Sequence, residues 1–310
     1  MPAPASLPKW PTLHLERALG GVVCGVDEAG CAPIAGPVVA AAVILPKGPK
    51  PRQLRGLNDS KLLSPAQREK YFEIIHRIGE VGVGIASVEE IDRFNILRAD
   101  MLAMQRSVES LSRAAGRVPD HALVDGRSKP ALPCRVEPLV KGDRRSLSIA
   151  AASVIAKVVR DQFMQELAQV YPAYGWRSNV GYGTDVHYLG LLRHGPTEHH
   201  RRSFAPLNTL FGQHGPKLDR FSFRPFDPPP DLRGIELLGL RRDLLAVFEG
   251  NGHHVGVVKN LRGNWTFQSV GYADDHEPVN GGGPCAACHG VRLASPARKS
   301  VVRALFEQLG

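Results

Sequence analysis

Hydrophobic and polar positions along the first two thirds of the chain switch repeatedly between two periods. Val22–Val26 and Val38–Leu45 are apolar runs of strand length, separated by the Gly- and Pro-rich turn Gly30–Pro37. Ser64-Pro65-Ala66-Gln67 reads as a helix start, with a hydroxyl cap, proline in the first turn and glutamine placed to complete a capping box. Phe72, Ile75 and Ile78, with Tyr71 and Ile74 beside them, then recur at helical spacing until Gly79. Val81–Ala86 predicts a short strand, and Ser87-Val88-Glu89-Glu90 a second capping box opening a short helix. Ile96–Ala115 carries Ile96, Met101, Met104, Val108 and Leu111 at the spacing of a longer helix. Ala122–Val124 and Val136–Val140 predict further strands. Ile149–Val170 predicts a helix whose alanines, Ala150, Ala151, Ala152 and Ala156, permit close approach to a sheet. The alternation describes an α/β architecture, a sheet with helices on its faces.

The pattern changes near residue 210. Residues 211–231 include Arg224-Pro225-Phe226-Asp227-Pro228-Pro229-Pro230, and three consecutive prolines neither continue a helix nor pair inside a sheet. The expected organisation is therefore a domain over 1–210, a Pro-rich linker over 211–231 and a small α+β domain over 232–310. In that last segment Leu237–Phe248 predicts a short helix. Val255–Lys259 and Trp265–Val270 predict a hairpin across Leu261-Arg262-Gly263-Asn264. Ser295-Pro296, followed by Val301, Val302 and Leu305, predicts a closing helix.

Composition narrows the class. No apolar run approaches the ~20 residues of a membrane span. Residues 1–11 hold no continuous apolar stretch of the kind a secretory signal needs. Five cysteines are too few and too odd in number for a disulfide framework, so a reducing, cytoplasmic location is expected. Lys plus Arg number 39 against 30 acidic residues, a net charge of +9. Most of the excess lies before residue 211, where 27 basic residues face 20 acidic ones. That balance suits a polyanionic partner such as nucleic acid.

Acidic residues fall at the ends of the expected strands. Asp27 and Glu28 follow the first, Asp125 follows Ala122–Val124, and Asp143 follows Val136–Val140. Each singly reads as a solvated strand end or, for Asp125-Gly126, a turn. Together, adjacent strands would gather four carboxylates, whose mutual repulsion calls for hard cations with oxygen ligands, Mg²⁺ or Mn²⁺.

These residues lie within a series of motifs that resembles bacterial ribonuclease HII. The series begins with Val26-Asp27-Glu28-Ala29-Gly30, Pro33 and Ala35-Gly36-Pro37-Val38-Val39-Ala40-Ala41, then Leu57-Asn58-Asp59-Ser60-Lys61. It continues through Val124-Asp125-Gly126, Lys141-Gly142-Asp143 and Ser148-Ile149-Ala150-Ala151-Ala152-Ser153. Ala156-Lys157-Val158, Arg160-Asp161, Gly181-Tyr182-Gly183-Thr184 and His200-Arg201-Arg202-Ser203-Phe204 complete it, so the likeness covers about residues 20–207. The related type HIII enzymes carry an extra N-terminal domain, whereas only some twenty residues precede the first strand here.

The resemblance implies a ribonuclease H-like fold, a mixed β-sheet flanked by helices. It implies hydrolysis of the RNA strand in RNA–DNA hybrids and incision at ribonucleotides embedded in duplex DNA, leaving 5′-phosphate and 3′-hydroxyl ends. Asp27, Glu28, Asp125 and Asp143 match the family's four metal-site acids, which would hold two divalent ions ~4 Å apart across the scissile phosphate. Tyr182 matches the tyrosine that packs on the sugar beside the ribonucleotide; a core aromatic is its other reading. Lys61, Lys141, Lys157, Arg160, Arg201 and Arg202 are candidate phosphate contacts, or else solvated surface charges.

Two departures stand out. Gly30-Cys31-Ala32 replaces the family's Gly-Arg-Gly, the tripeptide that presents backbone groups to the 2′-hydroxyl, so one charge is lost and one Cβ gained. Val180 stands where a lysine often precedes Gly-Tyr-Gly. The substitution at Cys31 and Ala32 motivates a rival reading, a hybrid-binding protein with weakened catalysis; retention of all four acids argues against it. For residues 232–310 no family is identified, and a protein-interaction module is one reading. There Cys285-Ala286-Ala287-Cys288-His289 matches a haem-attachment pattern, which a chain without a secretory signal has no route to use. Cys285 and Cys288 also have zinc-ligand spacing, with His253, His254, His276 or His289 to complete a site. A Gly-rich loop with two free thiols is the reading preferred.

Overall fold

The computed structural model describes residues 10–46, 51–205 and 207, together with four strands between residues 235 and 269. The chain divides into two compact units, Met1–Leu207 and Asn208–Gly310.

In the first unit, strands β1 (Val23–Ala29), β2 (Val38–Ile44), β3 (Glu80–Ala86), β4 (His121–Asp125) and β5 (Arg135–Leu139) form one sheet in the order β3-β2-β1-β4-β5. β1 pairs antiparallel with β2 and parallel with β4; β2–β3 is antiparallel and β4–β5 parallel. The helices are α1 (His14–Leu19), α2 (Pro65–Ile78), α3 (Val88–Phe94), α4 (Ile96–Ala115), α5 (Leu147–Val170), α6 (Trp176–Asn179) and α7 (Asp185–His194). Both expected capping boxes form: Ser64 with Gln67 opens α2, and Ser87 with Glu90 opens α3.

Alternation along the strands divides the core in two. On one face Ala41, Val43 and Leu45 meet Tyr71 and Ile75 of α2 and the alanine row of α5. On the other, Cys24, Val26, Ala40, Ala42 and Val124 meet Ala99, Ala103, Met104, Val108 and Leu111 of α4. Gly25 makes the first face possible. A Cβ there would lie 2.2 Å from the backbone nitrogen of Ile149, so only glycine lets α5 approach β1 this closely.

The second unit differs from the expected helix at Leu237–Phe248. That segment instead supplies β6 (Ile235–Arg241) and β7 (Leu244–Glu249), paired antiparallel, with Arg241 opposite Leu244. A short apolar run is compatible with either period, and pairing with a third strand decides it. That third strand, β8 (His254–Leu261), also pairs with β9 (Asn264–Ser269), with Leu261 opposite Asn264; this is the expected hairpin. The linker 211–231, the helix after Ser295, and Cys285, Cys288, His253, His276 and His289 lie outside the described residues.

Candidate active site

The strand ends bring three aspartates together. Asp27 near the end of β1, Asp125 at the end of β4 and Asp143 each place a carboxylate oxygen within 4.8 Å of the other two. Parallel pairing of β1 with β4 sets the first two side by side: Val26 is opposite Val124, one residue before each acid. Asp143 arrives on a short 3-10 turn, Gly142–Arg144, that follows Lys141 in the left-handed region at φ 55°. The backbone N–H of Gly142 donates to Asp125 Oδ1 at 2.6 Å, which ties that turn to β4 and orients the carboxylate. Asp27 is 5% exposed, and its Oδ1 accepts from the Glu28 N–H at 2.7 Å.

Glu28 adjoins this cluster, its carboxylate hydrogen-bonded to that of Asp27 and close to Asp125. Side chains alternate along β1, so it continues the row of Cys24 and Val26 on the α4 face. There its carboxylate forms a second triangle with Cys31 and Asp100, again within 4.8 Å. The three aspartates thus form one triangle, and Glu28, hydrogen-bonded to Asp27, links it to the second. Asp100 was not among the candidates, although it interrupts the apolar stripe of α4 between Ala99 and Ala103, which was its signal.

Electrostatics marks the cluster. Burial, then Glu28 and Asp125, hold the Asp27 carboxyl well above the usual carboxylate range. Burial, then Asp125 and Asp59, push Asp143 up to about 6. Glu28 is raised by burial and then by Asp125. Burial and Glu28 push Asp100 up to about 8. Among the described residues no ion pair reaches any of these acids. The nearest compensation is Lys61. Burial opposes its charge, but Asp59, Asp27, Asp143 and Glu28 outweigh that and raise its pKa. Buried carboxylates converging without a cationic partner fit a hard divalent cation, and the all-oxygen donor set is the one that Mg²⁺ or Mn²⁺ takes.

The surrounding loops are held by two arginines expected to contact phosphate. Arg160 and Arg201 are instead 1% and 0% exposed. Arg160 donates from Nε to Pro37 O, from Nη2 to Ala35 O and from Nη1 to Val180 O, at 3.0–3.1 Å. Arg201 donates to the carbonyls of Gly30, Cys31, Gly36 and Pro37. Their planar forks satisfy backbone carbonyls that a tight, buried turn cannot pair with itself. Gly30 sits at φ +102°, and a Cβ there would lie 2.1 Å from Arg160 Nε. Lys157 is also engaged, with Asp161 at 2.6 Å. Lys61, Lys141 and Arg202 remain exposed.

Tyr182 is 45% exposed, which excludes the core reading. Its backbone is fixed from both sides: its N–H donates to Asn179 O at 2.9 Å and its carbonyl accepts from His187 Nδ1 at 2.9 Å. Behind it lies a buried histidine pair. The Thr197 N–H donates to His200 Nδ1, so the His200 proton is on Nε2 and points to His187 Nε2 at 3.0 Å. That nitrogen also accepts from Trp176 Nε1. Burial lowers His187 to about 4; burial and then His187 lower His200 to about 3. Val180 occupies φ 43°, an unusual conformation for a β-branched residue, at the start of this loop. Cys31 is half-buried, and Ala32 is exposed with no positive φ.

No helix among the described residues is long and apolar enough to cross a membrane. The sequence profile of the family described as Ribonuclease HII matches residues 24–207. Ribonuclease HII of Paramagnetospirillum magneticum is 54% identical over 198 residues, covering 64% of this chain and 96% of the relative. That of Granulibacter bethesdensis is 53% identical over 205 residues, covering 64% and 91%. Among solved structures, ribonuclease H2 from Pyrococcus horikoshii is similar with a TM-score of 0.50 and 29% identity, over 60% of this chain and 95% of that one. Bst-RNase HIII in complex with Mn²⁺ shares the fold with a TM-score of 0.50 and 20% identity, over 66% and 74%. From the strand-end carboxylates, the mixed sheet and these relatives together, the chain belongs to the ribonuclease HII family and is a metal-dependent ribonuclease of RNA–DNA hybrids.

Proposed function

We propose that the chain incises duplex DNA at single embedded ribonucleotides as well as cutting the RNA strand of continuous hybrids, using two divalent ions, Mg²⁺ or Mn²⁺, and leaving 5′-phosphate and 3′-hydroxyl ends. The observation that carries the reading is the triangle of Asp27, Asp125 and Asp143 within 4.8 Å. Bound there, divalent ions supply Lewis-acid charge for the phosphate and lower the pKa of water. The chain's own part is positional. The Gly142 N–H keeps one oxygen of Asp125 engaged, leaving the other for the ions. Glu28, hydrogen-bonded to Asp27, completes the acidic set. Lys61, exposed and electrostatically coupled to these acids, faces the phosphate backbone.

Discrimination of RNA from DNA requires sensing the 2′-hydroxyl. Tyr182 offers an exposed ring on a backbone held at both N–H and carbonyl, suited to pack on the sugar. The Gly30-Cys31-Ala32 segment presents its backbone beside it, with Arg160 and Arg201 fixing the carbonyls of the Gly30–Pro37 turn. The rival reading, a binding protein with weakened catalysis, draws no support from the relatives named above, which are described as the nuclease.

The test uses the full chain on two duplexes, one carrying a single ribonucleotide and one a continuous hybrid, with Mg²⁺, Mn²⁺ or EDTA. Incision of both in either metal, with the stated ends and none in EDTA, is expected. Cutting that survives EDTA, or a single ribonucleotide left intact, would overturn the proposal.

A further inference from the structure

The α4 face of the sheet holds a second set of donor atoms. Glu28 at the end of β1, Cys31 in the following turn and Asp100 on α4 each place one ligand atom within 4.8 Å of the other two. Asp100 is 7% exposed, and its Oδ1 has no hydrogen-bond partner. Its carboxylate is hydrogen-bonded to Cys31, so the side chain is aimed into the triangle. A buried carboxylate oxygen without a donor is costly, and native proteins seldom leave one unanswered. Arg201, the buried cation beside Cys31, does not answer it: its donors are spent on the carbonyls of Gly30, Cys31, Gly36 and Pro37.

We propose that Glu28, Cys31 and Asp100 form a binding site for a thiophilic divalent cation of the Zn²⁺ class, adjoining the three-aspartate cluster and sharing Glu28 with its acidic set. One sulfur and two carboxylates provide three ligands, and a water completes a tetrahedron. Soft thiolate selects Zn²⁺ over Mg²⁺, which prefers six oxygens, so the sulfur-containing triangle and the all-aspartate one would sort two kinds of ion. Binding releases to solvent the Cys31 thiol proton and, at neutral pH, the proton held by Asp100, replaces the contact between Cys31 and Asp100 with metal bonds and supplies the missing partner of Asp100 Oδ1. Occupation would also draw Glu28 away from catalysis, so a thiophilic ion would inhibit cleavage. That last consequence alone rests on the nuclease reading above.

Co²⁺ alone, titrated into the full chain, is the probe, because cobalt bound to thiolate gains a charge-transfer band in the near ultraviolet that carboxylate sites lack. The wild type is expected to show the band and Zn²⁺ to remove it. Cys31→Ser should lose it, and Asp100→Asn should weaken Co²⁺ binding about tenfold or more. Asp125→Asn, which alters only the other triangle, should keep it. Absence of the band in the wild type, its survival in Cys31→Ser, unchanged affinity in Asp100→Asn or its loss in Asp125→Asn would each overturn the site. None of these readouts depends on cleavage, so failure here leaves the nuclease reading standing, and the reverse also holds.

Discussion

Asp27 and Glu28 are adjacent in β1 and hydrogen-bonded through their carboxylates, yet each closes a different triangle of ligand atoms. Asp27 joins Asp125 and Asp143, whereas Glu28 joins Cys31 and Asp100. The period of two starts the two side chains on opposite faces, and the longer glutamate reaches back to Asp27 at the end of the strand.

The metal-free cluster is a source of instability. The Asp143 pKa is raised to about 6 in the folded state from an ordinary 3.8, so the folded chain binds more protons between those values. The associated stability is present below about pH 4 and lost as pH rises through 6. Asp143→Asn should therefore stabilise the metal-free chain at pH 7 by about 1–3 kcal/mol, the gain vanishing in acid. Denaturant unfolding at the two pH values measures it. Mn²⁺ should raise the melting temperature of the wild type more than that of the variant, and a variant less stable than wild type at pH 7 would contradict the account.

Arg160 joins the Gly30–Pro37 turn to Val180 through three carbonyls. Removing a buried charged donor strands those acceptors, so Arg160→Gln should cost about 3–5 kcal/mol. Arg160→Lys should recover little, because one ammonium cannot reproduce the planar fork. Unfolding free energies within about 1 kcal/mol of wild type would mean that the fork is dispensable.

The histidine pair predicts an acid sensitivity. Folded His187 stays neutral down to about pH 4, while an unfolded histidine takes its proton near ~6.5. The unfolded state therefore binds more protons in that window, and the contribution of His187 is lost as pH falls through it. The slope is about 1.4 kcal/mol per pH unit. The stability difference between wild type and His187→Gln should shrink by about 2 kcal/mol from pH 7 to 5. The carboxylates are common to both proteins and cancel. A constant difference would remove the pair from the argument.

Much of this was legible in the sequence, and the exceptions share a cause. Strand alternation, both serine capping boxes and the positions of Asp27, Asp125 and Asp143 follow from local chemistry, so they can be read without tertiary information. Arg160 and Arg201 could not. An arginine in a sequence reads as surface charge, and only the turn that folds over it shows that its donors serve buried carbonyls. The placement of Glu28 beside Asp100 required knowing which helix covers which face. At Leu237–Phe248 the apolar run lacked a period strong enough to separate helix from strand, and cross-strand partners settled it.

The division of the chain after Leu207 makes the second unit separable in principle. Residues 1–227 should melt cooperatively and cleave hybrid with efficiency close to that of the full chain. Thermal melting and a cleavage assay check this. An insoluble or inactive product would mean that the second unit completes the core or the site.

The central claim is that the carboxylate triangle performs catalysis while other groups supply affinity. Hybrid cleavage and hybrid binding, measured side by side for Asp27→Asn and Asp125→Asn at fixed salt and Mn²⁺, test it most directly. Groups that only support metal ligands account for about 10–100-fold, so loss of a ligand charge should lower cleavage by more than about 100-fold. Binding should persist, because phosphate contacts elsewhere carry it. Near wild-type turnover in either variant would contradict the assignment of that carboxylate.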